Sequence, residues 1–188
     1  VPLLGPGAPL PHRPRRVLVA GVSGSGKTTL AATVGRALGI PHVEIDALFH
    51  GPGWVPRPSF VEEVHAFAAR PEWVTEWQYD AVRPHLLARA DTLVWLDLSR
   101  PRVMRQVVRR TVVRRLRRQR LWNGNVEPPL RTVLTDPEHI VRWAWTHHAL
   151  VEPRVLAALR ERPDLVVVRL RDRREVRDWV EGPLRLSP

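Results

Sequence analysis

Three observations predict an α/β chain built on a five-stranded parallel sheet with helices on both faces. Short apolar runs at 16–20, 42–46, 73–76, 92–97 and 165–170 alternate with segments of helical period. Runs this apolar suit strands buried on both sides, as parallel strands are. The first run leads straight into Gly21-Val22-Ser23-Gly24-Ser25-Gly26-Lys27-Thr28, which fits the Walker A pattern G-x-x-x-x-G-K-[ST] at every fixed position and opens a helix. Three of the runs end in an acid, Asp46, Glu76 and Asp97, at the carboxyl edge where such sheets bind ligands.

The elements follow in order. Residues 1–15 hold five prolines and no apolar period, which predicts a loose tail before a single domain at 16–181. Arg16–Ala20 is the first strand and Thr29–Leu38 continues the helix begun near Lys27, with Gly39 as its stop. His42–Asp46 reads as the second strand. The breaker-rich stretch 51–58 is a loop, and Ser59 with Glu62 predicts a capping box for a helix to about Arg70. Trp73–Glu76 is the third strand, followed by a helix over about 81–90. Thr92–Asp97 is the fourth, and Ser99 and Pro101 open a long helix to about Arg120. A loop at 121–129 precedes a helix from Pro137 to about Arg160, broken near Pro153. Leu165–Leu170 is the last strand, Arg173–Val180 the closing helix and 182–188 a second tail.

The chain has no cysteine, so disulfides and thiolate metal sites are excluded. No apolar run reaches the roughly 20 residues that cross a bilayer. No secretion signal is visible, and the expectation is a cytoplasmic protein without membrane contact. The formal charge of +11 suits either nucleic acid or small polyanions such as nucleotides.

The glycine loop carries the chemistry. Gly21, Ser23, Gly24, Ser25 and Gly26 let successive N–H groups turn inward on one anion, and the helix start from Lys27 through Thr28 and Thr29 adds its positive end. Lys27 is the chain's only lysine, a compact point charge suited to a tight phosphate cradle. It is expected to bridge the β- and γ-phosphates of ATP, with the Thr28 hydroxyl on Mg²⁺. Asp46 and Glu76 are expected to be the catalytic and acceptor-side acids, since a nucleotide triphosphate site needs acids to hold Mg²⁺ through its waters and to receive the acceptor's proton. Asp97 is a weaker candidate for the same edge.

Between Arg100 and Arg120 stand ten arginines and no acid. Their repulsion is relieved by a polyphosphate, and Arg105 with Arg109, or Arg110 with Arg114, share a face four residues apart. Which of them clamp phosphate stays open at this point. The glycine-bearing stretch 121–127 reads as a cover, giving a helical lid over about 105–130. Among the tryptophans, Trp54 and Trp122 sit in glycine-bearing loops and are the candidates for substrate contact. His147-His148 has no companion at metal spacing, and no bound zinc is expected.

With these residues in view, the chain resembles the adenylate-kinase-like P-loop kinases, and within them the small topology-modulation or FlaR-like group. The likeness spans about 16–180. It rests on the loop, on Asp46-Ala47-Leu48-Phe49 with Gly53-Trp54, on the strand end at 73–79, on the arginine helix and on Leu121-Trp122-Asn123-Gly124-Asn125. The resemblance implies a nucleoside/nucleotide-kinase fold, Glu76 as the Mg²⁺-associated acid, and Arg105 and Arg109 as nucleotide contacts at the start of the lid. Many relatives have Asp-Gly-Asn-Tyr where this chain has Glu76-Trp77-Gln78-Tyr79, and Trp77 fills space on the acceptor side. Arg57 and Arg83 are the candidates for an acceptor phosphate. The expectation is therefore an enzyme, a kinase moving the γ-phosphoryl of Mg·ATP to a small nucleoside, nucleotide or hydroxyl acceptor held near Asp46, Trp54, Arg57 and Glu76. The alternative is a nucleic-acid-binding NTPase with the arginine helix on the phosphate backbone.

Overall fold

The computed structural model describes residues 3–116, 121–125 and 140–188. Its strands are β1 (Leu3–Leu4), β2 (Arg16–Ala20), β3 (Trp73–Glu76), β4 (Thr92–Leu96) and β5 (Val166–Leu170). They form one parallel sheet in the order β1-β5-β4-β2-β3. The helices are α1 (Lys27–Leu38), α2 (Ile45–Phe49), α3 (Phe60–Ala68), α4 (Arg83–Arg89), α5 (Arg100–Leu116), α6 (Ile140–His147), α7 (Val151–Glu161) and α8 (Arg173–Trp179).

The period of two along each strand divides the core into two layers. Leu18 and Ala20 of β2 and Leu93 and Trp95 of β4 face α3, α4 and α7, whose Val64, Leu86 and Val155 are fully buried there. Val17, Val19, Val94 and Leu96 face the other way, against Leu30 and Val34 of α1 and Trp179 of α8. Both faces of the central strands are covered, which is why their sequences are apolar without alternation. A third, smaller cluster joins Val22 of the glycine loop to Leu98, Val103 and Val107 at the start of α5 and to Ala144 of α6.

The predicted number of strands is right, but their membership differs. His42–Asp46 is not a strand. His42 makes a single parallel bridge to Val74, and the chain then turns into α2 at Ile45. The reason is local: the Glu76 carboxylate accepts a hydrogen bond from Ile45 N at 3.1 Å and caps the helix start. The fifth strand comes instead from the segment read as a tail. Leu3 and Leu4 pair with Val167 and Val168, Leu10 is buried in the α1/α8 layer, and Arg13 bonds Glu72 and the carbonyl of Leu38. At the other end Leu184, also placed in a tail, is fully buried in a wide helical turn that continues α8.

Smaller differences have equally local causes. Ser59 makes no capping box; its hydroxyl donates to Glu63, which also takes the Arg57 guanidinium. The helix predicted from Pro137 to Arg160 is two, α6 and α7, parted by a tight turn at His148–Leu150, and Pro153 sits in the first turn of α7. The expected end of the arginine helix at Arg120, the start of the next at Pro137 and the outer lid residues 126–130 lie outside the described residues.

Leu10→Ala tests the reassigned tail. A buried leucine in a core layer should cost about 2–3 kcal/mol in urea unfolding, whereas a loose segment would change stability by less than about 0.5 kcal/mol.

Candidate active site

β2, an interior strand between β4 and β3, ends at Ala20, and the glycine loop spans the gap to α1. Gly24 and Gly26 take φ of 82° and 100°, the left-handed region that glycine enters without a Cβ penalty. A Cβ on Gly24 would lie 2.8 Å from the Val107 side chain of α5, so the loop and that helix meet in direct contact. α1 starts at Lys27 with no side-chain cap and no acid in its first turn, which leaves its leading N–H groups directed into the loop. Ser23 and Thr28 are half-buried and Thr29 is exposed on that first turn. The buried Ser25 hydroxyl has no hydrogen-bond partner among the described residues.

Lys27 is 8% exposed, and its ammonium donates to the Val22 carbonyl at 3.1 Å. Burial lowers its pKa to about 8, against the pull of Asp46 and Glu76 and with a push from Arg110 and Arg83. The same balance shows which groups surround it: two of the strand-side acids and two arginines, neither of them Arg105 or Arg109.

Asp46 lies in α2, with its Oδ1 accepting from the Tyr79 hydroxyl at 2.6 Å and from the Gln78 amide. Burial and the Asp46 charge drive the Tyr79 phenol far up, so it stays a donor. Tyr79 stacks on Phe49 at 4.0 Å between ring centres and holds a left-handed φ of 65°. Glu76 is 1% exposed and fully engaged: Oε1 meets His42 Nε2 at 3.2 Å, and Oε2 caps Ile45 N. Burial pulls its carboxyl upward, yet the hydrogen bonds from His42 and Ile45 outweigh this and hold it below the ordinary glutamate range. The acid expected to reach Mg²⁺ is therefore the anchor that fixes α2, and through α2 the position of Asp46.

The acceptor-side arginines are occupied. Arg57 pairs with Glu63 at 2.5 Å, and Arg83 pairs with Asp80. Asp97 likewise pairs with Arg169 at 2.5 Å, beside a cavity of about 270 Å³ that it lines with Val22, Leu98, His148 and Glu152. His148 bonds the Leu98 carbonyl and His147 stacks on Trp143.

Two stretches singled out far apart in the sequence meet here. The Asn125 amide donates to the Gly51 carbonyl at 2.9 Å and accepts from Trp54 N at 3.2 Å, while Asn123 bonds the His50 carbonyl. Trp122 stacks on His50 and stands edge-on to Trp54, with ring centres 5.7 and 6.3 Å away, and lies close enough to Glu44 to favour its charged form. Burial lowers the pKa of His50 and raises that of Glu44. The cover and the loop after α2 are thus latched together next to Asp46.

α5 presents its arginines in two directions. At about 100° per residue, Arg105 and Arg109 stand about 160° around the helix from Val107, the residue that touches the loop. They line a recess with Arg102, Gln106 and Arg173. Arg110 stands about 60° from Val107, which accounts for its effect on Lys27. Sequence reasoning named both pairs, but only the contact with Gly24 separates them. It missed His42, Gln78, Tyr79 and Asn125 as supports; Gln78, Tyr79 and Asn125 lay inside the quoted motifs, whereas nothing in the sequence marked His42.

Gly24→Ala should place a methyl group against Val107 on a left-handed backbone, costing about 2 kcal/mol or more. The expected drop in Tm is about 5 °C, read by thermal unfolding.

No protein-family model matches the chain, and no curated protein matches it. Among solved structures it is similar to a gluconokinase from Sinorhizobium meliloti 1021, with 21% identity, a TM-score of 0.50, and coverage of 94% of this chain and 95% of the other. It is also similar to a shikimate kinase from Acinetobacter baumannii in complex with shikimate, with 15% identity, a TM-score of 0.52 and 89% of each chain covered. At these identities the likeness is one of fold: the chain has the α/β fold of solved P-loop-type kinases.

Proposed function

We propose that the chain is a P-loop phosphotransferase that moves the γ-phosphoryl group of ATP to the hydroxyl of a small acceptor. The observation that carries this reading is the buried Lys27 beneath an uncapped helix start, with Asp46 beside it. The loop N–H groups and the ammonium spread the charge that builds on the transferred group. Mg²⁺ fits the donors present: the Thr28 hydroxyl makes no hydrogen bond among the described residues, and Asp46 is the acid whose charge reaches Lys27 most strongly. When bound, the ion would neutralise the β- and γ-oxygens.

Asp46 takes the proton of the acceptor hydroxyl as the new O–P bond forms and the bond to the β-phosphate oxygen breaks, releasing ADP. Tyr79 and Gln78 orient that carboxylate. Glu76 is assigned to positioning it, and Arg110 to the triphosphate. Trp54 and Trp122 border the acceptor as part of the latch. Arg57 and Arg83 are assigned no contact with it, since both are held by acids. The motif segments shared with the topology-modulation or FlaR-like group, Asp46–Phe49, Gly53-Trp54 and Leu121–Asn125, converge at this place, which supports membership of that group.

Two measurements test the reading. Lys27→Ala should lower phosphoryl transfer from labelled ATP, scored on a panel of nucleosides, nucleotides and polyols, by about 10²-fold or more with the fold unchanged; full turnover in that variant ends the proposal. The pH dependence of binding is the second. Lys27 loses its proton as pH rises through about 8 in the unbound chain, and phosphate contact raises that pKa. Above pH 8, calorimetry in buffers of different ionisation enthalpy should show proton uptake on Mg·ATP binding, and affinity should fall about tenfold per pH unit.

A further inference from the structure

Building on the phosphotransferase reading above, we propose that the acceptor is a hydroxylated amine, its ammonium held by Glu44 and the aromatic wall of the latch and its hydroxyl by Asp46. Glu44 is an acid that neither the fold nor the transfer step uses. It stands directly before α2, the usual place for a helix cap, yet its side chain makes no capping bond; Glu76 caps Ile45 N instead. It is half-buried beside Trp122. Burial raises its carboxyl, and the charges of Glu76 and Asp46 add to the push. His42 offsets part of this, but its ring is bonded to Glu76. Among the described residues Glu44 makes no ion pair.

These surroundings select for positive charge. Three carboxylates, Glu44, Asp46 and Glu76, lie within reach of one another's field. Asp46 is answered by neutral donors, the Tyr79 hydroxyl and the Gln78 amide. Of the nearby cations, Lys27 is assigned to the nucleotide, and Arg57 and Arg83 are held by Glu63 and Asp80. An acceptor bearing phosphate or carboxylate meets repulsion in such a place. The rings of Phe49, His50, Trp54, Tyr79 and Trp122 form a continuous wall beside the acids, and aromatic rings attract cations. A neutral polyol leaves Glu44 without a counter-charge, whereas an ammonium supplies one together with three donors. The two groups of the acceptor keep separate tasks. A protonated amine has no lone pair to attack phosphorus, so the new O–P bond forms at the hydroxyl, its proton passes to Asp46 and ADP leaves.

The test uses the full chain with labelled Mg·ATP at about pH 6.5, where the amines are protonated. The acceptors are matched: glucosamine, glucose and gluconate, and ethanolamine beside ethylene glycol. In at least one series the amine should exceed its neutral counterpart by about tenfold or more in kcat/KM, with the carboxylate lowest. Glu44→Gln should bring the amine-to-neutral ratio to within about threefold of one with Tm unchanged, and Glu44→Asp should keep most of the preference. Equal turnover of amine and neutral members in both series, a preference for gluconate, or a ratio indifferent to Glu44→Gln overturns the proposal and leaves the phosphotransferase reading standing. If no acceptor is labelled, the phosphotransferase reading fails, and binding decides the amine site by itself. The same compounds are then titrated into the Lys27→Ala chain and followed by tryptophan fluorescence. Tighter binding of an amine than of its neutral counterpart, lost in Glu44→Gln, upholds the site; equal binding, or none, overturns it.

Discussion

An ammonium buried under a glycine loop is the constraint from which the rest of the site follows. Taking Lys27 out of water costs several kcal/mol unless nearby groups of opposite sign answer it. One neighbour, the Val22 carbonyl, belongs to the loop itself. The others, Asp46 and Glu76, come from α2 and β3 and must be held at a distance that stabilises the charge without neutralising it by contact. Holding them requires further partners. His42 and Ile45 N secure Glu76, and Tyr79 and Gln78 secure Asp46. A buried polar network of this kind is favourable only when each member is satisfied, and here the pieces come from three separate segments of the chain. The sheet order brings them together, since β3 lies directly beside β2.

The contact of Gly24 with Val107 has a comparable reach. It fixes the rotation of α5 about its own axis, and a helix bearing arginines on most of its turns then becomes two surfaces with different surroundings. One includes Arg110 and belongs to the field around Lys27. The other belongs to α8 and opens to solvent. A residue larger than glycine at position 24 would alter the loop conformation and the allocation of these charges at once.

The chemistry of the loop was legible in the sequence because the pattern specifies backbone conformation as well as side chains: glycine where φ is positive, lysine where the helix begins. The apolar strands β2, β4 and β5 were legible for a similar reason, since burial on both faces leaves few polar positions, Arg16, Thr92 and Arg169 among them. The errors arose where a distant partner decides. His42–Asp46 has the composition of a strand, but Glu76, thirty-one residues beyond Ile45, captures its backbone and turns it into a helix. Leu3–Leu4 is too short for periodicity to reveal, and its pairing depends on a strand near the other end of the chain. The ion pairs of Arg57 with Glu63 and of Arg83 with Asp80 were not legible either, because an ion pair depends on rotamers as well as on spacing.

The excess of basic residues, 30 against 19 acids, takes on a specific meaning once the pairs are placed. Surface ion pairs contribute little stability individually, with a median below about 1 kcal/mol, so the distribution of acids is weakly constrained by folding. An acid could stand opposite Arg105 or Arg173 at little cost to the fold, and would remove repulsion among the recess arginines. The nearby acid, Asp172, caps the leading N–H groups of α8 and feels the charge of Arg102. A stable fold does not require four cations around one opening. That local asymmetry, more than the total charge, distinguishes this opening from the ion-paired arginines elsewhere among the described residues.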